Sequence, residues 1–136
     1  ALLDLVKAIE AVVEELVPEL VITHQVGDLN VDHRLVHEAV LTATRPLPGS
    51  PVRQVLAGEV LSSSEWRYPT RFSPNVFREM GAFLEAKCAA LEAYGSEIRS
   101  WPHPRSREGI VHLARTRGMA CGLEAAEAFE LVRLVD

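Results

Sequence analysis

One short apolar run, "ELVIT" at 19–23, lies between two segments of helical period, and that order leaves few folds open. Ahead of it, Leu2, Leu5, Val6, Ile9, Val12, Val13 and Leu16 recur at steps of three and four until Pro18, which predicts an amphipathic helix closed by the proline. Behind it, the loop "HQVGDLN" leads into Leu35, Val36, Ala39, Val40 and Ala43, one apolar arc that "RPLPGSP" at 45–51 breaks. A strand with apolar residues on both faces must be covered by helices, so the α, β, α order predicts a layered α/β domain.

The rest of the chain extends the pattern. "VLAGEVLSS" (55–63) predicts a second buried strand, and "NVFREM" (75–80) a shorter, more exposed one. Phe83, Leu84, Lys87, Cys88, Leu91 and Tyr94 mark a third helix, with Lys87 snorkelling from its stripe. "SREGIVHLARTRG" predicts a helix capped by Ser106 and ended by Gly118, and "EAAEAFELVRLV" a last helix running to the end of the chain. Strands alternating with helices predict a Rossmann-like layered fold with a mostly parallel sheet. All 136 residues are assigned to a single domain. The first helix begins with neither an N-cap nor an initiator methionine, from which we expect the chain to be part of a longer protein.

Composition narrows the function classes. Fourteen Lys and Arg against 19 Asp and Glu give a net charge of -5 with no long basic run, so no nucleic-acid partner is expected. Apolar runs are too short for a membrane span and no leader pattern is present, which makes the cytoplasm the expected location. Cys88 and Cys121 have no framework spacing and are expected to be reduced, partly buried thiols.

Chemistry concentrates in "GDLNVDHRLVHEAV", 27–40. In open α/β sheets, ligands bind beyond the carboxyl ends of the strands, where loops and helix N-termini converge. This stretch takes that place after "ELVIT", so His24, Asp28, Asn30, Asp32 and His33 are expected near one rim. Asp28 or Asn30 would cap the helix, and His33 would lie at the edge of the apolar arc with His37 further round towards solvent. A neutral imidazole beside a carboxylate at such a rim suits metal ligation, although by spacing alone a capping or surface histidine is the commoner account of it. The spacing "HRLVH" matches the zinc-protease helix motif, but Arg34 stands where that motif needs glutamate.

The run "VITHQVGDLNVDHRLVHEAVLTATRP" is similar to the second signature of the LmbE-like (PIG-L) zinc-dependent de-N-acetylases, in which a strand ending in Thr-His precedes an Asp-His-Arg segment that opens a helix. "EVLSSSEW", "FSPNVF", "PHPRS" and the "AEAFELVR" tail resemble further landmarks of one bacterial branch, in the same order. The resemblance implies zinc-dependent hydrolysis of an N-acetyl group on an amino sugar or glycoconjugate, with His33 as a zinc ligand. Asn30 would be an oxyanion donor, and Asp32 and Asp28 would orient the ligand. Arg34 would contact an anionic part of the substrate or pair with Glu38, and His103 and Arg105 in "WPHPRS" would border the substrate site or simply cap and pack. The family's N-terminal Ala-His-Pro-Asp-Asp-Glu motif, which supplies two further ligands and the general base, is absent from this sequence. Gln25 also departs from relatives that carry histidine there. The resemblance thus implies the C-terminal portion of a deacetylase, without its first βα units and inactive alone, with self-association through the exposed sheet face. A non-catalytic sugar-binding or assembly module is the alternative.

Overall fold

A computed structural model describes all of residues 1–136. The elements in chain order are α1 (Leu2–Leu16), β1 (Leu20–His24), α2 (Val31–Ala43), β2 (Gln54–Gly58), β3 (Val76–Glu79), a 3-10 turn (Gly81–Phe83), α3 (Leu84–Glu92), α4 (Arg107–Met119) and β4 (Ala126–Leu134). The four strands form one sheet in the order β1-β2-β4-β3. β1 and β2 are parallel, with Ile22 opposite Leu56, whereas β2 and β4 are antiparallel, with Gly58 opposite Phe129. The sheet is therefore mixed, and the expectation of a mostly parallel one fails.

The reason lies in the last element. "EAAEAFELVRLV" is a strand over Ala126–Leu134, not a helix. Its Ala and Glu favour helix locally, but in the fold Ala126 and Ala128 are buried on one side of a pleated ribbon and the backbone from Phe129 to Leu134 is committed to the ladder with β2. Small residues suit a close-packed strand, and tertiary pairing overrides a propensity of a few tenths of a kcal/mol per residue. The second strand is also shorter than expected. After Gly58 the chain enters a turn in which Ser64 N–H bonds the Val60 carbonyl and Ser62 takes a left-handed φ of 67°. Strand geometry cannot continue through such a residue.

Two compact units compose the chain: residues 1–73 with 129–136, and residues 74–128. In the first, Val40, Val52 and Val55 form a core joined by Ile9 and Val13 of α1, Val21 of β1, and Val36 and Leu41 of α2. Val21 and Val55 therefore face the helices, and strand alternation turns Leu20 and Ile22 to the opposite face. Those two remain 40% and 55% exposed, as do Leu131 (37%) and Leu134 (57%) on β4. In the second unit, Met80, Ala114 and Ala125 make a smaller core with Leu84. Ser106 caps α4 as expected, its Oγ accepting the Gly109 N–H at 2.9 Å. Gly118 lies within α4 rather than at its end, and a Cβ there would stand 2.4 Å from the Leu123 carbonyl oxygen, so the glycine serves close backbone packing. Lys87 reaches Glu127 at 2.6 Å instead of snorkelling. Both cysteines are free thiols; burial raises the pKa of Cys88, whereas Cys121 is exposed. No helix is long and apolar enough to cross a membrane.

Candidate functional site

The loop between β1 and α2 is built by local hydrogen bonds that its sequence dictates. Asn30 is the N-cap of α2, its side-chain oxygen accepting the Asp32 N–H at 2.9 Å. Two residues earlier, Asp28 Oδ1 accepts the Asn30 N–H at 2.9 Å, an Asx turn that aims the chain into the helix. Asp28 is completely buried. Its Oδ2 lies 3.4 Å from Ser64 Oγ, which belongs to the turn after β2, and Ser64 Oγ in turn accepts the Val60 N–H at 2.8 Å. Arg34 holds the loop from outside: its Nη1 donates to the carbonyls of Asp28 (2.8 Å) and Leu29 (2.7 Å). The alternative pairing of Arg34 with Glu38 is not made.

Three side chains meet at the carboxyl end of β1. His33 Nδ1 is 3.1 Å from Asp28 Oδ1, and its side chain keeps about a fifth of its surface open. The contact is close enough for electrostatic attraction, yet its angle leaves Nδ1 without a true hydrogen bond. His24 lies flat on His33, ring centroids 4.0 Å apart and planes inclined by 11°. Burial first, then the neighbouring His33, lowers the pKa of His24, and Asp28 opposes the shift. Of the five residues expected at this rim, His24, Asp28 and His33 are thus brought together. Asn30 and Asp32 stand at the exposed mouth of the helix.

His37 contradicts its expected place. It is buried, 6% exposed, and its Nδ1 lies 2.8 Å from the His24 carbonyl. One turn deeper along α2 than His33, it meets the end of β1 rather than water, and the carbonyl compensates its lost hydration. Because a carbonyl only accepts, His37 carries a proton on Nδ1. Two further residues were not expected at the site. Ser64 joins the site through a contact 36 positions away, and Gln25 is 1% exposed with Oε1 accepting the Gly27 N–H and Nε2 without a partner.

Within the second unit, His103 Nδ1 accepts the Arg105 N–H at 3.0 Å, and the Arg105 guanidinium pairs with Glu97. Trp101 meets His112 edge-on at 5.3 Å. The "WPHPRS" loop is thereby organised by its own contacts. Glu65 accepts the Ser62 N–H and so closes the turn after β2.

The donor set tests what metal these residues could hold. Nowhere do three His, Cys, Asp or Glu side chains group so as to hold an ion. His24 cannot join His33 on a shared ion in this arrangement, because imidazole lone pairs lie in the ring plane and those of parallel rings 4.0 Å apart do not converge. His33 with Asp28 behind it suits one coordination position, and the chain offers no second.

No protein-family model matches the sequence, and no curated protein matches it. Solved structures do share its fold. The conserved protein TT1542 from Thermus thermophilus superposes with a TM-score of 0.72 at 22% identity, over 98% of this chain and 60% of that one. GalB, the 4-carboxy-2-hydroxymuconate hydratase from Pseudomonas putida, superposes with a TM-score of 0.68 at 21% identity over the same shares, 98% and 60%. This chain therefore spans about three fifths of the length of each.

Proposed function

We propose that this chain is the C-terminal portion of a Rossmann-like LmbE-type de-N-acetylase, in which His33 supplies one ligand of a catalytic zinc and a segment outside the chain supplies the others with the general base. The observation that carries the reading is the buried Asp28 carboxylate 3.1 Å behind Nδ1 of a partly open imidazole at a helix N-terminus. A carboxylate beside one ring nitrogen leaves the other to face a metal. Zinc, when bound, lowers the pKa of a ligated water to about 7.

This chain's own residues would bind and orient. Asn30 has its side-chain oxygen committed to the cap, which leaves its NH2 group to donate to a substrate oxygen. Asp32, exposed in the first turn of α2, would help orient His33 or its neighbours. Arg34, tied to two carbonyls, would present its remaining N–H groups to an anionic substituent of an N-acetylated sugar or glycoconjugate. The fold by itself does not choose the reaction, since a hydratase shares it.

Cobalt(II) titration of the 136-residue chain, followed by NMR, tests the ligand assignment. The His33 ring signals are expected to broaden first, and His33→Ala to abolish that response while His37→Ala retains it. Equal losses in the two variants would return "HRLVH" to a paired-histidine site. Deacetylation of N-acetylglucosamine derivatives, against hydration of an unsaturated dicarboxylate, should then be assayed on the chain extended by its upstream sequence.

The exposed row Leu20, Ile22, Leu131 and Leu134 favours a second reading, an assembly module that associates through this sheet face. Under it, Ile22→Lys gives a monodisperse monomer by light scattering while the wild type self-associates. A monomeric wild type sinks it.

A further inference from the structure

We propose that residues 65–71 form a recognition arm beside the β1–α2 loop, in which Arg71 selects a substrate bearing a carboxylate or a phosphate. The inference rests on the carboxyl end of β1 being the substrate site, and it needs neither the metal nor the reaction assigned above. Both ends of the arm are tied to that loop. At the first, the Leu29 N–H donates to the Ser63 carbonyl at 3.3 Å, and Ser64 Oγ lies 3.4 Å from Asp28 Oδ2. At the second, a Cβ added to Gly27 would stand 3.7 Å from Arg71 Cβ, so the root of the Arg71 side chain lies against the residue that precedes Asp28. Beyond it, the Ser73 N–H is held by Glu130 at 3.2 Å. Between these ties residues 65–71 are all exposed, Trp66 at 42% and Tyr68 at 84%.

Charge singles out Arg71. Acidic residues outnumber basic ones by 19 to 14, and Arg105, Arg107 and Arg115 each pair with glutamate. Arg71 pairs with no carboxylate. The loop beside it has spent its own donors: the N–H groups of Gly27, Asp28, Leu29 and Asn30 go to Gln25 Oε1, the Gln25 carbonyl, the Ser63 carbonyl and Asp28 Oδ1. Arg34 has committed Nη1 to two carbonyls. An anion arriving here therefore meets Arg71 as the cation with its whole donor fork open, and a guanidinium matches a carboxylate or phosphate with two parallel hydrogen bonds. The root of the side chain is fixed by packing while its head has no partner to give up, so binding costs only the ordering of one long side chain. Trp66 and Tyr68, on the same arm, add aromatic surface of the kind that lines small-molecule sites around a few orienting polar groups. The ligand class is a ring compound, such as an amino sugar, that carries a carboxylate or phosphate.

NMR titration of the 136-residue chain, without metal, tests this with three probes: N-acetylglucosamine-6-phosphate, N-acetylmuramic acid, which carries a carboxylate, and neutral N-acetylglucosamine. The backbone amide signals of Gly27 and of the arm are expected to shift, and at least one anionic sugar to bind about 10-fold more tightly than the neutral one, by a margin that shrinks in high salt. The tighter of the two names the anion. Arg71→Gln should remove that margin and leave the neutral sugar within about threefold of wild type, while Arg67→Gln keeps it. Anionic sugars that bind no better than the neutral one, or no shift of these amides with any probe, overturn the proposal in the wild type alone. A margin that survives Arg71→Gln, or falls equally in Arg67→Gln, overturns the part given to Arg71. Arg71-dependent binding with no deacetylation by the chain extended upstream leaves the arm standing and removes the deacetylase, whereas deacetylation with a KM indifferent to the anionic group and to Arg71→Gln does the reverse.

Discussion

Replacing Asp28 separates the loop's stability from its chemistry. Asp28→Ala removes the acceptor of the Asn30 N–H at 2.9 Å and the attraction to His33 at 3.1 Å, and it leaves Ser64 Oγ facing a small void. A hydrogen bond to a charged group contributes about 1.5–3 kcal/mol. The Ser64 contact at 3.4 Å is long enough to add little. The loss is therefore expected at about 2–3 kcal/mol. Asp28→Asn keeps an oxygen for the Asn30 N–H and places an NH2 group where Ser64 Oγ can accept, so only the charge is lost and the cost falls to about 1 kcal/mol or less. Urea unfolding followed by circular dichroism reads the difference: with m near 1–3 kcal/mol/M, Asp28→Ala lowers the midpoint by about 1 M or more and Asp28→Asn by about half that or less. Cobalt binding should weaken in both. Equal midpoint shifts, or an Asp28→Ala midpoint within about 0.2 M of wild type, would refute the account of Asp28 as the loop's organising acceptor.

Asn30→Ala is expected to destabilise the chain by about 1 kcal/mol through the lost cap, and Asn30→Ser to restore stability without restoring an amide donor; in the extended enzyme both should lower kcat roughly 10- to 1000-fold, and a kcat unchanged in the serine variant would reduce Asn30 to a cap. The lowered pKa of His24 means that between its folded value and about 6.5 the unfolded chain binds more protons than the folded one, so its contribution to stability is complete above about 6.5, declines as pH falls and levels off below the folded pKa. His24→Phe should flatten that part of a pH series of urea midpoints, and an unaltered slope would assign it to another group. Since the pair of Arg105 with Glu97 is a surface one, Arg105→Ala should change stability by less than about 1 kcal/mol, as thermal melts would show. Leu56→Ala should cost about 2–5 kcal/mol, because the side chain is 1% exposed in the middle of β2, and a midpoint near wild type would contradict its place in the core.

The sequence alone determined what depends on neighbours in the chain. The period of Leu2 to Leu16, the Asn30 and Ser106 caps, the break at 45–51 and the strand at 20–24 are visible because each follows from spacing or from one side chain bonding its own backbone. His24, Asp28 and His33 were legible as a group for the same reason, all lying within ten residues around one strand end. What only the tertiary structure decided depends on distant partners. Residues 129–134 became strand because β2 offered a ladder, although their composition favours helix. His37 is buried because a carbonyl of β1 lies over its face of α2, and a helical wheel contains no β1. Arg34 bonds two loop carbonyls rather than the glutamate one turn on, because the Asx turn at Asp28 folds those carbonyls towards it. Ser64 reaches Asp28 only because parallel pairing sets the ends of β1 and β2 side by side, a consequence of register, which no local pattern encodes.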